Sequence, residues 1–251
     1  LGAMMAGDPE FHKTDYFDNV IEPAGTKGKV ITIPMSFYVQ TLVGDEEAIA
    51  KAGVRFDDQS WDWNDFAETG QQLVAAGGHK YAYVYKSPIN LLHQMVEANL
   101  DSLVDAERKK AFFDTDVFVG MLNGIRKMEK DKVVTFDKHQ LIHGDVFFQD
   151  LAIYSPEGYL SSLKAMNDSK PKLYAAPKAS GQSAGGFFGT IDNLAINAHS
   201  KVQAEAWDFL KYLMSDQAPE PSLGFSINRA VYGNHIAKLL NDGHYSVEED
   251  G

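Results

Sequence analysis

The chain has no cysteine among its 251 residues, which excludes disulfides, thiol nucleophiles and thiolate metal sites while leaving the compartment open. No apolar run reaches the length of a membrane helix, because charge or glycine interrupts each one within about a dozen residues. Basic clusters are missing as well. Lys and Arg number 23 against 35 Asp and Glu, for a net charge of -12. Only scattered groups such as Arg108, Lys109 and Lys110 are available to neutralise phosphates, so nucleic acid is not an expected partner. Several catalytic signatures are absent: there is no G-x-S-x-G elbow, no P-loop and no G-x-G-x-x-G, and Gly181, Gly185, Gly186 and Gly189 have the wrong spacing for a phosphate cradle. His139 and His143 stand four apart without a third ligand or an H-E-x-x-H frame, and they read as a solvated helix end. Asp57, Asp58, Asp62 and Asp65 do not follow the calcium-loop pattern. No metal and no cofactor is expected.

The residues present describe an α/β chain. Its hydrophobic content of 44% is enough for one large core or two modest ones. Short β-branched or aromatic runs predict strands at 30–33, closed by Pro34, and at 81–85, 146–153, 173–176 and 194–196. Helical spacing appears at 45–52 before Gly53, from Trp63 through Phe66, Gly70 and Leu73 to Gly77, at 91–98 and at 117–128. Asp62 is the expected cap of the second of these, with Asp65 three residues on. A further helix carries apolar residues at Val202, Ala206, Phe209, Leu210 and Leu213, with Ser200 and Gln203 at capping-box spacing. Trp63 and Trp207 are expected in the core. Strands mixed with helices, without a repeat, suit an α/β domain better than a bundle or sandwich.

Residues 185–229, GGFFGTIDNLAINAHSKVQAEAWDFLKYLMSDQAPEPSLGFSINR, run from a glycine-rich approach through a strand and turn into that last helix. This order, with the AWxFLxYL core and the GFSINR that follows, resembles the closing segment of extracellular solute-binding proteins of ABC importers, in the carbohydrate-binding family 1. Residues 28–36, GKVITIPMS, resemble the strand at that family's first crossover between lobes. Asp62, Trp63, Asn64, Asp65 and Phe66 resemble its Thr-Trp-Asp-Glu-Phe helix start, and the segment around Phe113 and Asp114 is a looser match. The resemblance implies an α/β periplasmic-binding-protein-like (type II) two-lobe fold, incomplete here and mostly the second lobe. Residues 1–34 and 131–182 would be the remnant of the first lobe, and 35–130 with 183–251 the second. It also implies a fragment, because the family's opening block precedes the GKVITIP-like strand, and any export signal would lie outside the chain.

The function so implied is physical rather than chemical. Two lobes close over a carbohydrate ligand, and ABC permease subunits recognise the result outside the cytoplasmic membrane, with the protein a monomer in the periplasm or a lipoprotein at the cell surface. Sugars offer C–H faces to aromatic rings and hydroxyls to paired donors and acceptors. Such residues cluster at Ser36, Phe37, Tyr38 and Gln40, at Phe187, Phe188, Asp192 and Asn193, and at Asn228 and Arg229. Plainer roles stand beside each: Phe37 and Tyr38 as plugs of a lobe interior, Phe187 and Phe188 covered by protein, Asp192 and Asn193 shaping a turn, Arg229 pairing with a helix end. The alternative from another class is a carbohydrate-active hydrolase using paired carboxylates from Asp145, Asp150 and Glu157; a sensory module of the same fold is a third.

Overall fold

The computed structural model describes residues 1–22, 29–105, 107–139, 145–165, 170–179, 181–182, 187–219 and 221–242. Gly28, His143, Gly185, Gly186 and the acidic tail from Tyr245 lie outside the described residues. The described chain forms two compact units: the first is Leu1–Val39, Ala152–Ala165 and Phe188–Gly251, the second Gln40–Leu151 and Met166–Phe187.

β1 (Ile33–Asp45) passes through both units within one strand of 13 residues. The predicted closure at Pro34 does not occur. Pro34 is the second residue of the strand, a position where its missing N–H is tolerated, and the strand continues to Asp45. Asp45 then caps α3 (Glu46–Ala52) by accepting from the Ala48 N–H at 3.0 Å, and Gly53 ends it in the left-handed region at φ 69°.

In the second unit, α4 (Trp63–Ala76) opens on a complete capping box, with Asp62 accepting from Asn64 and Asp65 N–H and Asp65 accepting from that of Asp62. β2 (Tyr81–Val84), α5 (Pro88–Ala98), α6 (Leu100–Leu103) and the two-residue hairpin strands β3 (Val104–Asp105) and β4 (Lys110–Ala111) follow. Next come α7 (Asp116–Lys130), β5 (Val134–Thr135), β6 (Val146–Ile153) and β7 (Pro171–Ala175). The strand order is β5-β2-β6-β1-β7, with β2 parallel to both β5 and β6 and β1 antiparallel to β7. Phe66, Leu73, Tyr83, Leu91, Ile125, Phe147 and Phe148 form this unit's core, with Trp61 buried among them and Trp63 packed against it. Gly44 lets β1 approach closely, since a Cβ there would stand 2.8 Å from the rings of Phe148 and Tyr174.

The first unit holds α1 (Gly2–Gly7), α2 (Asp18–Ile21), α8 (Pro156–Ala165), β8 (Phe187–Leu194), α9 (Gln203–Met214), β9 (Phe225–Ser226) and α10 (Arg229–Asp242), β8 entering it at Phe188. β8 and β9 pair with β1, the latter antiparallel with Ser36 opposite Ser226. Its core is separate: Met5, Phe11, Tyr16, Val20, Ile21, Ile33, Trp207, Leu210, Met214 and Ile227.

Three expectations need correction here. The strand expected at 194–196 runs instead over Phe187–Leu194, where the aromatic pair supplies the strand. Ser200 and Gln203 form no capping box: Val202 is the N-cap, the Ser200 hydroxyl accepts from the Val202 N–H, and the Gln203 amide donates to the Ala198 carbonyl. The buried face of α9 is Trp207, Leu210 and Met214, while Phe209 is 60% exposed. Residues 131–151 belong with 40–130 because β2 pairs with both β5 and β6, and α9 belongs with residues 1–39 because Trp207 and Leu210 pack against Met5 and Phe11.

Candidate functional site

In an open α/β sheet a ligand finds its place beyond the carboxyl ends of the parallel strands, where side chains and backbone groups are not used up by the ladder. In the second unit those ends are fixed by register: Val84 lies beside Thr135 on one side and Gln149 on the other. The Tyr85 N–H extends the ladder one step by donating to the Thr135 carbonyl at 3.0 Å, after which Ser87 caps α5 and the chain turns away. Tyr83 stands opposite Phe148, so by strand alternation Tyr83, Tyr85, Phe148 and Asp150 share one face of the sheet.

This face ends in a polar cluster. The Gln40 side-chain amide, on β1, donates to Oδ1 of Asp150, on β6. Burial pushes the Asp150 carboxyl above the usual carboxylate range, while the Gln40 amide and the nearby Lys86 ammonium pull it down. Beside it, the Tyr83 hydroxyl is buried without a hydrogen-bond partner among the described residues, although the residue is only 1% exposed. Burial, then the charge of Asp150, then Tyr85, raise that phenol's pKa well above its ordinary value. The Tyr83 and Tyr85 rings lie 5.5 Å apart. Buried polar groups are normally satisfied, and one left open at a strand end is suited to an incoming partner.

The first unit carries a separate aromatic pocket of about 240 Å³ that includes Tyr154, Pro156, Phe225, Tyr232 and His235 in its walls. His235 Nε2 is 3.0 Å from Glu157 Oε1. Burial alone would raise the Glu157 carboxyl, but His235 outweighs it with backbone and Ser155 donors and holds the group below the usual range. Tyr38 stacks on Tyr154 at 4.8 Å with its ring over Gly189, where a Cβ would overlap it.

The ten expected site residues divide accordingly, and one of them, Asn228, is buried with its amide donating to the Met214 carbonyl at 3.0 Å. Gln40 joins the polar cluster of the second unit, and Tyr38 joins the aromatic group of the first. Ser36 is fully buried, its hydroxyl donating to the Leu223 carbonyl at 2.6 Å. Phe37 packs against Phe17 and Phe225, and Phe188 packs against the first unit's core. Arg229 donates to the Tyr16 carbonyl at 2.8 Å and lies 4.5 Å from the Phe17 ring centroid. Asp192 takes φ 52° and Asn193 donates to the Thr190 hydroxyl, so this pair shapes the strand's bend. Phe187 is half-buried at the start of β8. Asp150, Tyr83, Tyr85 and Tyr232 were not among the expected contacts. The alternating tyrosines of YAYVYK at a strand end are the signal that points to two of them.

The hydrolase geometry finds no support. Asp145 immediately precedes β6 and Asp150 lies five residues on within it, roughly 16 Å apart at the strand rise, beyond the roughly 5–9.5 Å that paired glycosidase carboxylates need. Among the described residues, no group of three His, Cys, Asp or Glu is placed to hold a metal ion, and no helix is long and apolar enough to cross a membrane.

Solved structures share the fold. An extracellular solute-binding protein family 1 member from Alicyclobacillus acidocaldarius superposes with TM-score 0.64 at 18% identity, over 96% of this chain and 62% of that one. The ABC substrate-binding protein Lmo0181 of Listeria monocytogenes, solved with cycloalternan, gives 0.58 at 13% identity over 94% and 63%. The GacH receptor of Streptomyces glaucescens, solved unliganded and with acarbose, gives 0.55 at 18% over 91% and 61%. The chain thus spans less than two thirds of the length of these relatives, and its fold is the corresponding part of a two-lobe binding protein. No curated protein sequence matches it. The sequence profile described as bacterial extracellular solute-binding protein matches residues 5–221, and the chain therefore belongs to the bacterial extracellular solute-binding protein family.

Proposed function

We propose that this chain is the ligand-capturing part of an ABC importer's substrate-binding protein and that its ligand is a sugar or oligosaccharide. The observation that carries the reading is the cluster of Gln40, Asp150, Tyr83 and Tyr85 at the carboxyl ends of the second unit's parallel strands. It combines a carboxylate acceptor, an amide, a buried phenol unpaired among the described residues, and ring surface, the kinds of group that a polyhydroxylated ligand requires. The family supports capture over catalysis, and the sugars held by the Listeria and Streptomyces relatives support the ligand class. The first unit's Tyr38, Tyr154 and Tyr232 add aromatic surface of the same character. On this reading the first unit is the remnant of the first lobe and the second unit belongs to the second lobe. The partner is an ABC permease, the protein acts as a monomer, and its place is outside the cytoplasmic membrane, free or lipid-anchored.

Isothermal titration against a panel of neutral oligosaccharides, with chromatography of the sugars afterwards, tests this. Binding with every sugar recovered intact is the expected result. Release of shorter products, or no heat with any member of the panel, would overturn it.

A further inference from the structure

Asp150 is held in a specific way. Its Oδ1 accepts from Gln40, and no other hydrogen bond or ion pair to it forms among the described residues. A carboxylate has about four acceptor positions, so most of its capacity is open, and the residue is half-buried rather than sealed. The groups facing it are Gln40 from β1, Tyr83 from β2, and Tyr85 and Lys86 just after β2, the lysine exposed and making no ion pair with it among the described residues. The Tyr83 hydroxyl, on the same face of the sheet, is buried and has no hydrogen-bond partner among the described residues. An acceptor with open lone pairs, half-buried beside that O–H, makes a subsite for one ligand hydroxyl donating to the carboxylate.

We propose that Asp150 is the charge-selecting residue of the sugar site, accepting a ligand hydroxyl with the Tyr83 hydroxyl beside it and rejecting solutes that present a carboxylate or phosphate there. The inference rests on the sugar-capture reading. An anionic group at this subsite meets a like charge in a half-buried setting, where the exposed Lys86 ammonium acts without an ion pair to Asp150 among the described residues, and such juxtaposition is a strong device for refusing a wrong ligand. Gln40 is a positioning residue: its amide occupies Oδ1 and aims the remaining lone pairs.

The test is titration of the full chain at neutral pH with maltotriose and cellotriose, and with the same trisaccharides oxidised at C6 of a terminal residue to the uronate. Wild type is expected to favour a neutral sugar over its uronate by about tenfold or more. Asp150→Asn, nearly isosteric and still able to accept from Gln40, is expected to remove most of that preference by gaining affinity for the uronate. Gln40→Ala is expected to weaken both sugars about equally, on the scale of one lost hydrogen bond, and to leave the preference in place. Circular dichroism checks that each variant is folded. Binding of the neutral sugar with a preference unchanged by Asp150→Asn overturns this inference and leaves sugar capture standing. No binding of either neutral sugar by wild type brings down both together.

Discussion

Asp8 joins the end of α1 to α9 by accepting from the Trp207 indole N–H at 2.7 Å and the Lys211 ammonium at 2.8 Å. The Lys211 bond, followed by those from Trp207 and the Glu10 N–H, lowers its carboxyl to about 2. A carboxylate with a depressed folded-state pKa stabilises the fold above its unfolded value near 3.9, and that contribution fades as the pH falls through about 2. Asp8→Asn is therefore expected to lower the melting temperature at neutral pH and to flatten the acid limb of a stability profile between about pH 4 and 2. Asp150 has the opposite sign. Its pKa is raised by burial, so its contribution is fully present while it is protonated and is lost as rising pH ionises it inside the fold. Asp150→Asn should consequently raise the melting temperature at neutral pH while reducing ligand discrimination, a stability gain at the expense of function that scanning calorimetry resolves. Gly44 provides a third case, because a methyl placed 2.8 Å from two rings overpacks the sheet. Gly44→Ala is expected to destabilise by about 1–3 kcal/mol in denaturant titration.

Elements began where their ends carried local chemistry. Asp45 and Asp62 marked the starts of α3 and α4, and Gly53 marked a stop, because a cap is a contact within a few residues and is written where it acts. Asp62→Ala is expected to cost about 1 kcal/mol of stability, measured by urea unfolding. The same locality explains the misreadings. Ser200 and Gln203 have capping-box spacing, yet each bonds elsewhere in the preceding turn, so spacing alone did not decide the cap. Phe209 fits an apolar stripe as well as Trp207 does, and only the partners Met5 and Phe11, distant in sequence, determine which face of α9 is buried. Among the residues of the proposed site, Gln40 and Tyr38 come from the segment after the strand that the resemblance places at a crossover. Asp150 was visible only as one of three acidic residues, since its partners Gln40 and Tyr83 lie on strands far away in sequence.

For the whole molecule, the division into two units was not legible in composition. Three of the four crossings between them fall inside β1, β6 and β8, so no glycine, proline or charge run announces those boundaries. The two cores share no residue. Leu210→Ala, which opens a cavity beneath α9, is expected to cost about 2–5 kcal/mol. Hydrogen exchange should show the loss in amides of α9 and residues 1–21, with the amides of β2 and β6 keeping their protection. Uniform loss across both sets would mean that the units unfold as one.

The division of cores also distributes the chromophores. Trp61 and Trp63 belong with the second unit's core and Trp207 with the first, so indole emission from a double Trp61→Phe, Trp63→Phe variant arises from one unit alone. With no native thiol anywhere in the sequence, a single introduced cysteine would carry an energy-transfer acceptor at one defined position. Intrinsic fluorescence and one label therefore suffice to follow each half of this protein separately through binding and unfolding.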